Sequence, residues 1–287
     1  MRLTRYDDAA AYYQRVESFL AAHEAMHCLP LGLCATMRSQ PVGDGPPYLA
    51  VVERDDGAVA AVILRTPPNN VIVTLMADAE REAALALAAN DLRATYGALP
   101  GAVGPTGEVA AFAARWRTLT GHAAHLATHE RIYQLKRVVP VHGVPGRFRR
   151  AAPADRALLV RWLDAFHAEA LPGGIALNAE AAADRMLTAE GRGGYLWDDG
   201  EPVSLAGYNG PTPHGIRVGP VYTPPERRGK GFASACVAAL SQRLLDDGRR
   251  FVFLFTDLAN PTANHIYQAI GYQPVGDVDE YRFTARA

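Results

Sequence analysis

Cysteine is scarce in this 287-residue chain. Cys28, Cys34 and Cys236 are the only three, odd in number and far apart, so no disulfide framework is expected and the thiols read as free. Net charge is scarce too. Lys and Arg number 29 against 30 Asp and Glu, leaving a formal charge of -1. The concentrated positive surface that a phosphate backbone requires is missing, and no nucleic-acid partner is expected. No apolar run approaches the length of a membrane span, and the opening MRLTRYDDAAAYYQ holds no signal-peptide core, so no membrane partner is expected. The expectation is a cytoplasmic protein. With 49% hydrophobic and 21% charged residues the chain has a globular composition. It is long enough for one large domain or two ordinary ones.

Hydrophobic periodicity divides the chain. Residues 7 to 29 read as a helix that Leu29-Pro30 ends. Strands are expected over 48–53 and 59–64, with Arg54 to Gly57 as the turn between them, and over 71–76. Residues 79–96 read as a helix, LPGAVGPTG as a break, and 108–119 and 122–129 as two further helical pieces. PVHGVPGRFR, residues 140 to 149, reads as a linker or as a strand entering a new unit. Helices follow over 154–171 and 178–189. Strands over 194–197 and 202–208 flank a second hairpin turn at Asp198 to Glu201. Another strand covers 216–222, then come helix, strand, helix and a last strand over 279–284. Both halves thus run helix, hairpin, strand, helix. A mixed α/β fold present twice is expected, with domains 1–142 and 143–287.

The stretch VGPVYTPPERRGKGFASACVAAL, from Val218 to Leu240, carries the chemistry. A strand ends at Tyr222, prolines stiffen a turn, and a helix opens near Gly231. The first N–H groups of a helix lack helical partners and point back at such a turn. Glycines at 229 and 231 let a bulky anion approach the backbone, and Arg228 and Lys230 add charge. The dinucleotide fingerprint is excluded because no third glycine follows. A P-loop is excluded because Gly231 and Phe232 follow Lys230 where Ser or Thr would be needed. Further on, Asn260-Pro261 has the form of a helix start, Tyr267 shares that helix with Ile266 and Ile270, and Gly271 closes it.

Together these segments resemble the Gcn5-related N-acetyltransferase (GNAT) family. Its cofactor motif of Arg or Gln, two residues, Gly, one residue, then Gly or Ala is met by Arg228, Gly231 and Ala233, and Asn260, Tyr267, Gly271 and Tyr272 match its second signature. The resemblance covers residues 216 to 283 closely and extends less specifically to Phe148. It implies the family's acyl-CoA fold in two tandem copies, and acetyl transfer from acetyl-coenzyme A to a primary amine by direct attack. The pyrophosphate would be held by Arg228, Gly229, Lys230, Gly231, Phe232 and Ala233. The pantetheine arm would lie along Val221 and Tyr222, between splayed strands. A strand N–H near Val221 would polarise the thioester oxygen. Asn260 would touch the arm, and Tyr267 would be the general acid for the leaving thiolate. No residue stands out as general base; Asp164 and Glu169 are among several carboxylates. The partner would be a small-molecule amine, and the chain a monomer or homodimer.

Two features compete with that reading. His23 to His27, HEAMH, fits the H-E-x-x-H pattern of a zinc-dependent hydrolase. Pro30 follows almost at once and no third ligand presents itself, so two half-buried helix histidines and no metal are expected. A coenzyme A-binding regulatory module without turnover is the other alternative. The front half has no counterpart of Arg228-x-x-Gly-x-Ala, since MADAEREAALALAA follows its third strand. It reads as a degenerate copy.

Overall fold

The computed structural model describes residues 1–170 and 176–285; Leu171, at the end of one expected helix, lies outside them. Packing divides the chain into two compact units. One comprises Met1–Ile132, Asp257–Ala259 and Val275–Ala287, and the other Tyr133–Thr256 and Asn260–Pro274.

The first unit runs β1 (Arg2–Tyr6), α1 (Ala9–Ala21), α2 (Cys28–Met37), β2 (Tyr48–Glu53), β3 (Val59–Arg65), β4 (Val71–Val73), α3 (Asp78–Tyr96), β5 (Gly101–Pro105), α4 (Thr106–Thr120) and β6 (Ala123–Leu135), whose last three residues fall in the second unit. Asp8 caps α1, its carboxylate accepting from the Ala11 N–H at 2.7 Å. Successive strands β1 to β4 pair antiparallel, and β4 pairs parallel with β5. Helices cover both faces. Phe112, Trp116 and Leu92 pack with Ile63 and Val73 on one side, while Tyr12, Val16, Leu20 and Leu31 pack with Leu49 and Leu64 on the other. Burial on two faces explains why Tyr48–Glu53 reads as a continuous apolar run rather than an alternating one.

The second unit continues with β7 (Arg147–Arg150), α5 (Arg156–Ala170), α6 (Ala179–Thr188), β8 (Gly193–Asp198), β9 (Pro202–Asn209), β10 (Gly215–Tyr222), α7 (Phe232–Asp246), β11 (Phe251–Asp257) and α8 (Pro261–Ile270). Its strands β7 to β10 again pair antiparallel in succession, and β10 pairs parallel with β11. Cys236, Leu240 and Leu244 of α7 bury against Val218 and Val252, while Leu159 and Leu163 of α5 and Met186 of α6 bury against Leu196 and Leu205. Element for element, β7 through α8 repeats the series β1 through α4. The chain is therefore a mixed α/β fold present twice.

The final strand, β12 (Gln273–Thr284), is longer than the expected 279–284, and most of it belongs to the first unit. It pairs antiparallel with β5, Val278 opposite Pro105 and Arg282 opposite Gly101. No single cut of the chain, near residue 142 or elsewhere, reproduces this division.

Three sequence expectations are corrected. The helix of residues 7–29 is two helices, and Pro30 lies in the first turn of α2, where its missing N–H is harmless. LPGAVGPTG is not a break but contains β5. Its glycines serve close approach: a Cβ at Gly101 would collide with the Tyr281 carbonyl, and one at Gly104 with the Val73 carbonyl. Residues 122–129 are not helical, because Gly121 ends α4 in the left-handed region (φ 75°) and β6 begins at Ala123.

A protein consisting of residues 143–287 alone would carry β12 without β5 and the second unit without Tyr133 to Leu135. It is expected to show no cooperative thermal transition by circular dichroism where the full chain does. A sharp transition in the fragment would show these strand segments to be dispensable.

Candidate active site

The strand pair β10 and β11 holds the first requirement of a site, an opening in a sheet. Their parallel register covers Gly215 with Phe251, Ile216 with Val252 and Arg217 with Phe253, and goes no further, although β10 continues to Tyr222. On its other side β10 loses register with β9 between Val218 and Val221, and the Asn209 amide donates to the Gly219 carbonyl at 2.9 Å. Such an irregularity turns the strand away from its neighbour. Val221 and Tyr222 lie on the diverging part. Val221 is half-buried, and Tyr222 is buried against Trp162.

Past Tyr222 the chain makes a 3-10 turn at Pro225–Arg227 and reaches Gly229 and Gly231, both left-handed with φ 76° and 81°. Any other residue would be strained there. Gly231 is the N-cap of α7 and supplies no side-chain cap. The first helical bond runs from the Ala235 N–H to the Gly231 carbonyl at 2.9 Å. The N–H groups of Phe232, Ala233 and Ser234 therefore precede the ladder and emerge at the helix end, where the helix dipole is positive. Space beside Gly229 is open, since an added Cβ there meets nothing within 4 Å. Lys230 is exposed, and the Phe232 ring is buried as the anchor of the helix.

Arg228 is oriented differently from the expected phosphate grip. Its Nε donates to the Thr223 carbonyl at 2.8 Å and an Nη to the Glu169 carboxylate at 2.7 Å, with the guanidinium 5.9 Å from the centre of the Tyr222 ring. It braces the end of β10 against the end of α5. The groups left at this turn without a side-chain partner are the backbone N–H groups at the start of α7.

Asn260 caps α8, its Oδ1 accepting from the Ala263 N–H at 3.0 Å, so its amide nitrogen is the part left to face a ligand. Tyr267 is half-buried on α8, its ring edge-on to Tyr272 with centroids 6.0 Å apart. Burial pushes the Tyr267 phenol up to about 12, so it keeps its proton at neutral pH. The helix is held by a buried polar network that sequence reasoning missed. The Tyr133 hydroxyl donates to Asn264 at 3.0 Å and accepts from Gln268 at 2.8 Å, and the Asn264 amide reaches the Asn260 carbonyl at 2.8 Å. Nothing local marks Tyr133 as a partner of residues more than 130 positions away.

In the first unit the corresponding strands are β4 and β5. Pairing of β4 and β5 runs through Ile72 and Val103, and the missing Cβ of Gly104 lets the Val73 carbonyl stay close. Helix α3 opens with Asp78 and Glu80 and without glycine. Arg81 there pairs with Asp78 and with buried Glu108. An acidic helix start repels an anion, so the front copy is degenerate in charge.

HEAMH is not a zinc site. His27 is buried, its Nδ1 donating to the Leu20 carbonyl at 3.0 Å while its Nε2 accepts from the Leu75 N–H at 3.1 Å. With both ring nitrogens engaged, neither offers a lone pair to a metal. No cluster of metal-ligating side chains occurs among the described residues, and no helix among them is long and apolar enough to cross a membrane. Cys236 is buried, with its thiol pushed up to about 12 by desolvation, in keeping with a core residue.

A family model described as "Acetyltransferase (GNAT) family" matches residues 159–272. No curated protein matches the chain. Among solved structures, a GNAT-family acetyltransferase from Colwellia psychrerythraea is similar at TM-score 0.59 and 12% identity, covering 99% of this chain and 100% of its own. A GCN5-related N-acetyltransferase from Sphaerobacter thermophilus gives TM-score 0.63 and 16% identity, covering 98% and 95%. A tandem GNAT protein from the clavulanic acid biosynthesis pathway gives TM-score 0.57 and 14% identity over the whole of both chains. At these identities the likeness is one of fold, and it extends to the tandem arrangement.

His27 also gives the first unit a pH signature. Burial foremost holds its pKa down at about 4, from an ordinary value near 6.5. A base depressed in the folded state stabilises fully above its unfolded pKa and loses that stability as pH falls toward the folded one. Between pH 7 and pH 5 the loss should be about 2 kcal/mol. Urea midpoints measured across that range should fall in the native protein and stay flatter in His27→Gln. An equal slope in both would place the titration elsewhere.

Proposed function

We propose that this chain, whose residues 159–272 form a domain of the acetyltransferase (GNAT) family, transfers an acetyl group from acetyl-coenzyme A to a primary amine. The observation that carries the reading is the opening between β10 and β11 beside the uncapped start of α7 with its two left-handed glycines. Those residues fit a pyrophosphate: backbone donors in a row, an open approach at Gly229, and no carboxylate in the first turn of α7. Gly229, Lys230, Gly231, Phe232 and Ala233 would hold that group, with Val221 and Tyr222 along the arm and the Asn260 amide beside it. Bound acetyl-coenzyme A would supply the acyl group as a thioester, which a neutral amine attacks directly.

The chain's own residues provide the rest. An N–H near Val221 is a fixed donor for an oxygen that gains charge. Tyr267 holds a proton on its phenol oxygen through neutral pH and offers it to the leaving sulfur. The Tyr133–Asn264–Gln268 network keeps α8, and with it Tyr267, in one place. The acceptor is a small-molecule amine and one site serves the chain, because the front copy has no glycine turn and opens α3 with acids.

Calorimetric titration with acetyl-coenzyme A should show one site per chain, and Gly231→Glu should abolish it by adding a side chain and a negative charge at a left-handed position. Two sites would restore the front copy as a binding unit, and absence of binding would remove the transferase reading. Tyr267→Phe should bind the donor normally and turn over about a hundredfold more slowly, the scale of a lost general acid. Binding without turnover of any amine in the native protein would instead favour a coenzyme A-binding module.

A further inference from the structure

The second unit ends in an open strand edge. Strand β7 is the outermost of its sheet and, among the described residues, its only strand neighbour is β8. Arg150 stands opposite Tyr195 in that pair, and the next residue, Ala151, donates its N–H to the Gly194 carbonyl at 2.9 Å. Antiparallel strands alternate between bonded and unbonded pairs. Arg149 is therefore bonded to β8, while Phe148 and Arg150 turn their N–H and C=O groups outward. The Arg150 carbonyl meets an Nη of Arg149 at 3.5 Å, a long contact. Outward groups of this kind are a template for another strand.

A cavity of about 630 Å³ lies beside this edge, against α7. Phe148, Arg150 and Tyr195 line it from the sheet, and Ala239, Gln242 and Arg243 from one stripe of the helix. The Phe148 and Tyr195 rings stack with centroids 4.5 Å apart and planes 5° apart, giving the cavity a flat apolar wall. Its charges are unequally matched. Asp246, also in the lining, accepts from the Gln242 amide at 2.8 Å, and Arg243 pairs with Asp247 at 2.9 Å. Arg149 is held by Asp155 and Asp198, both at 2.7 Å. Arg147 and Arg150 are exposed, and no carboxylate is within ion-pair distance of either among the described residues.

We propose that the groove between β7 and α7 binds an extended acidic segment of a partner protein, which adds a strand to β7. The cavity takes an apolar side chain, and Arg150 takes a carboxylate, which a guanidinium fork can grip with two parallel hydrogen bonds. Strand addition at a sheet edge draws affinity from main-chain bonds and specificity from alternate side chains. Phe148 and Arg150 are two residues apart and share a face. The partner therefore needs an apolar residue opposite the first and an acid opposite the second. Antiparallel alignment orders these as acid, any residue, apolar, with a further acid next, opposite Arg147 on the other face. A second copy of this chain fits poorly, because pairing β7 with β7 would set arginines against arginines. The surface uses none of the residues assigned to the acyl donor, and it stands whatever the acceptor is.

Fluorescence anisotropy with the full-length protein and a labelled, end-capped peptide, Ser-Glu-Thr-Phe-Glu-Ser, tests this. Saturable binding is expected, with Ser-Lys-Thr-Phe-Lys-Ser at least about tenfold weaker, the scale of one charged hydrogen bond. Methylating the phenylalanine nitrogen of the acidic peptide should weaken it by a similar factor, since a main-chain donor is lost. Arg150→Glu should weaken the acidic peptide and strengthen the lysine peptide, a reversal that damage to the fold cannot produce. Absence of saturable binding, equal affinity for the two peptides, or an N-methyl peptide that binds as well would overturn the site. So would a preference unchanged in Arg150→Glu. Sedimentation of the protein alone judges the other occupant: a dimer that Arg150→Glu dissociates would put a second copy in the groove and overturn the acidic partner.

Discussion

The candidate site depends on a hydrogen-bonded ladder that stops. Strands β10 and β11 pair for three residues and then part, while β10 shifts its register against β9 on the other side. A parallel pair inside a sheet normally continues as far as both strands run, since unpaired backbone groups are expensive when buried. An interruption at this depth leaves strand donors and acceptors available to a ligand. The glycine turn and the start of α7 follow directly on the diverging end of β10.

In the repeated unit the Val73 carbonyl approaches Gly104, and the helix that follows β4 begins with acids. The two copies share element order and pairing pattern, yet only the second has left-handed glycines ahead of the helix that follows its fourth strand, where the first has acids inside it. Fold and site are separable properties here, as they are in folds that host many functions. The front copy keeps a well-filled core around Trp116, Phe112 and Tyr12, which is a packing requirement and not a chemical one.

Polar groups inside the second unit are paired with one another. Tyr133, Asn264 and Gln268 satisfy one another, and Ser241 meets the Tyr272 hydroxyl at 2.8 Å, so the helix beneath Tyr267 is fixed. Arg228 is satisfied by Glu169 and the Thr223 carbonyl. Buried groups that are well partnered support a structure.

By itself the sequence determined the turn from Arg228 to Ala233, the cap at Asn260 and the hairpins at Arg54 to Gly57 and Asp198 to Glu201. Each is decided by residues within one turn of chain, through φ preferences, missing N–H groups and side-chain caps. It also showed the repeat, because hydrophobic period survives when residue identity does not. Tertiary structure alone decided the rest. That β12 joins the first unit, that Gly101 and Gly104 lie in a strand, that both nitrogens of His27 are occupied, and that Arg228 turns toward Glu169 are outcomes of contacts between residues far apart in sequence. The same holds for Tyr133 under α8. The physical reason is common to all of them: a local signal fixes backbone conformation, whereas a partner is chosen by the register of strands and the packing of helices, which depend on the whole unit at once.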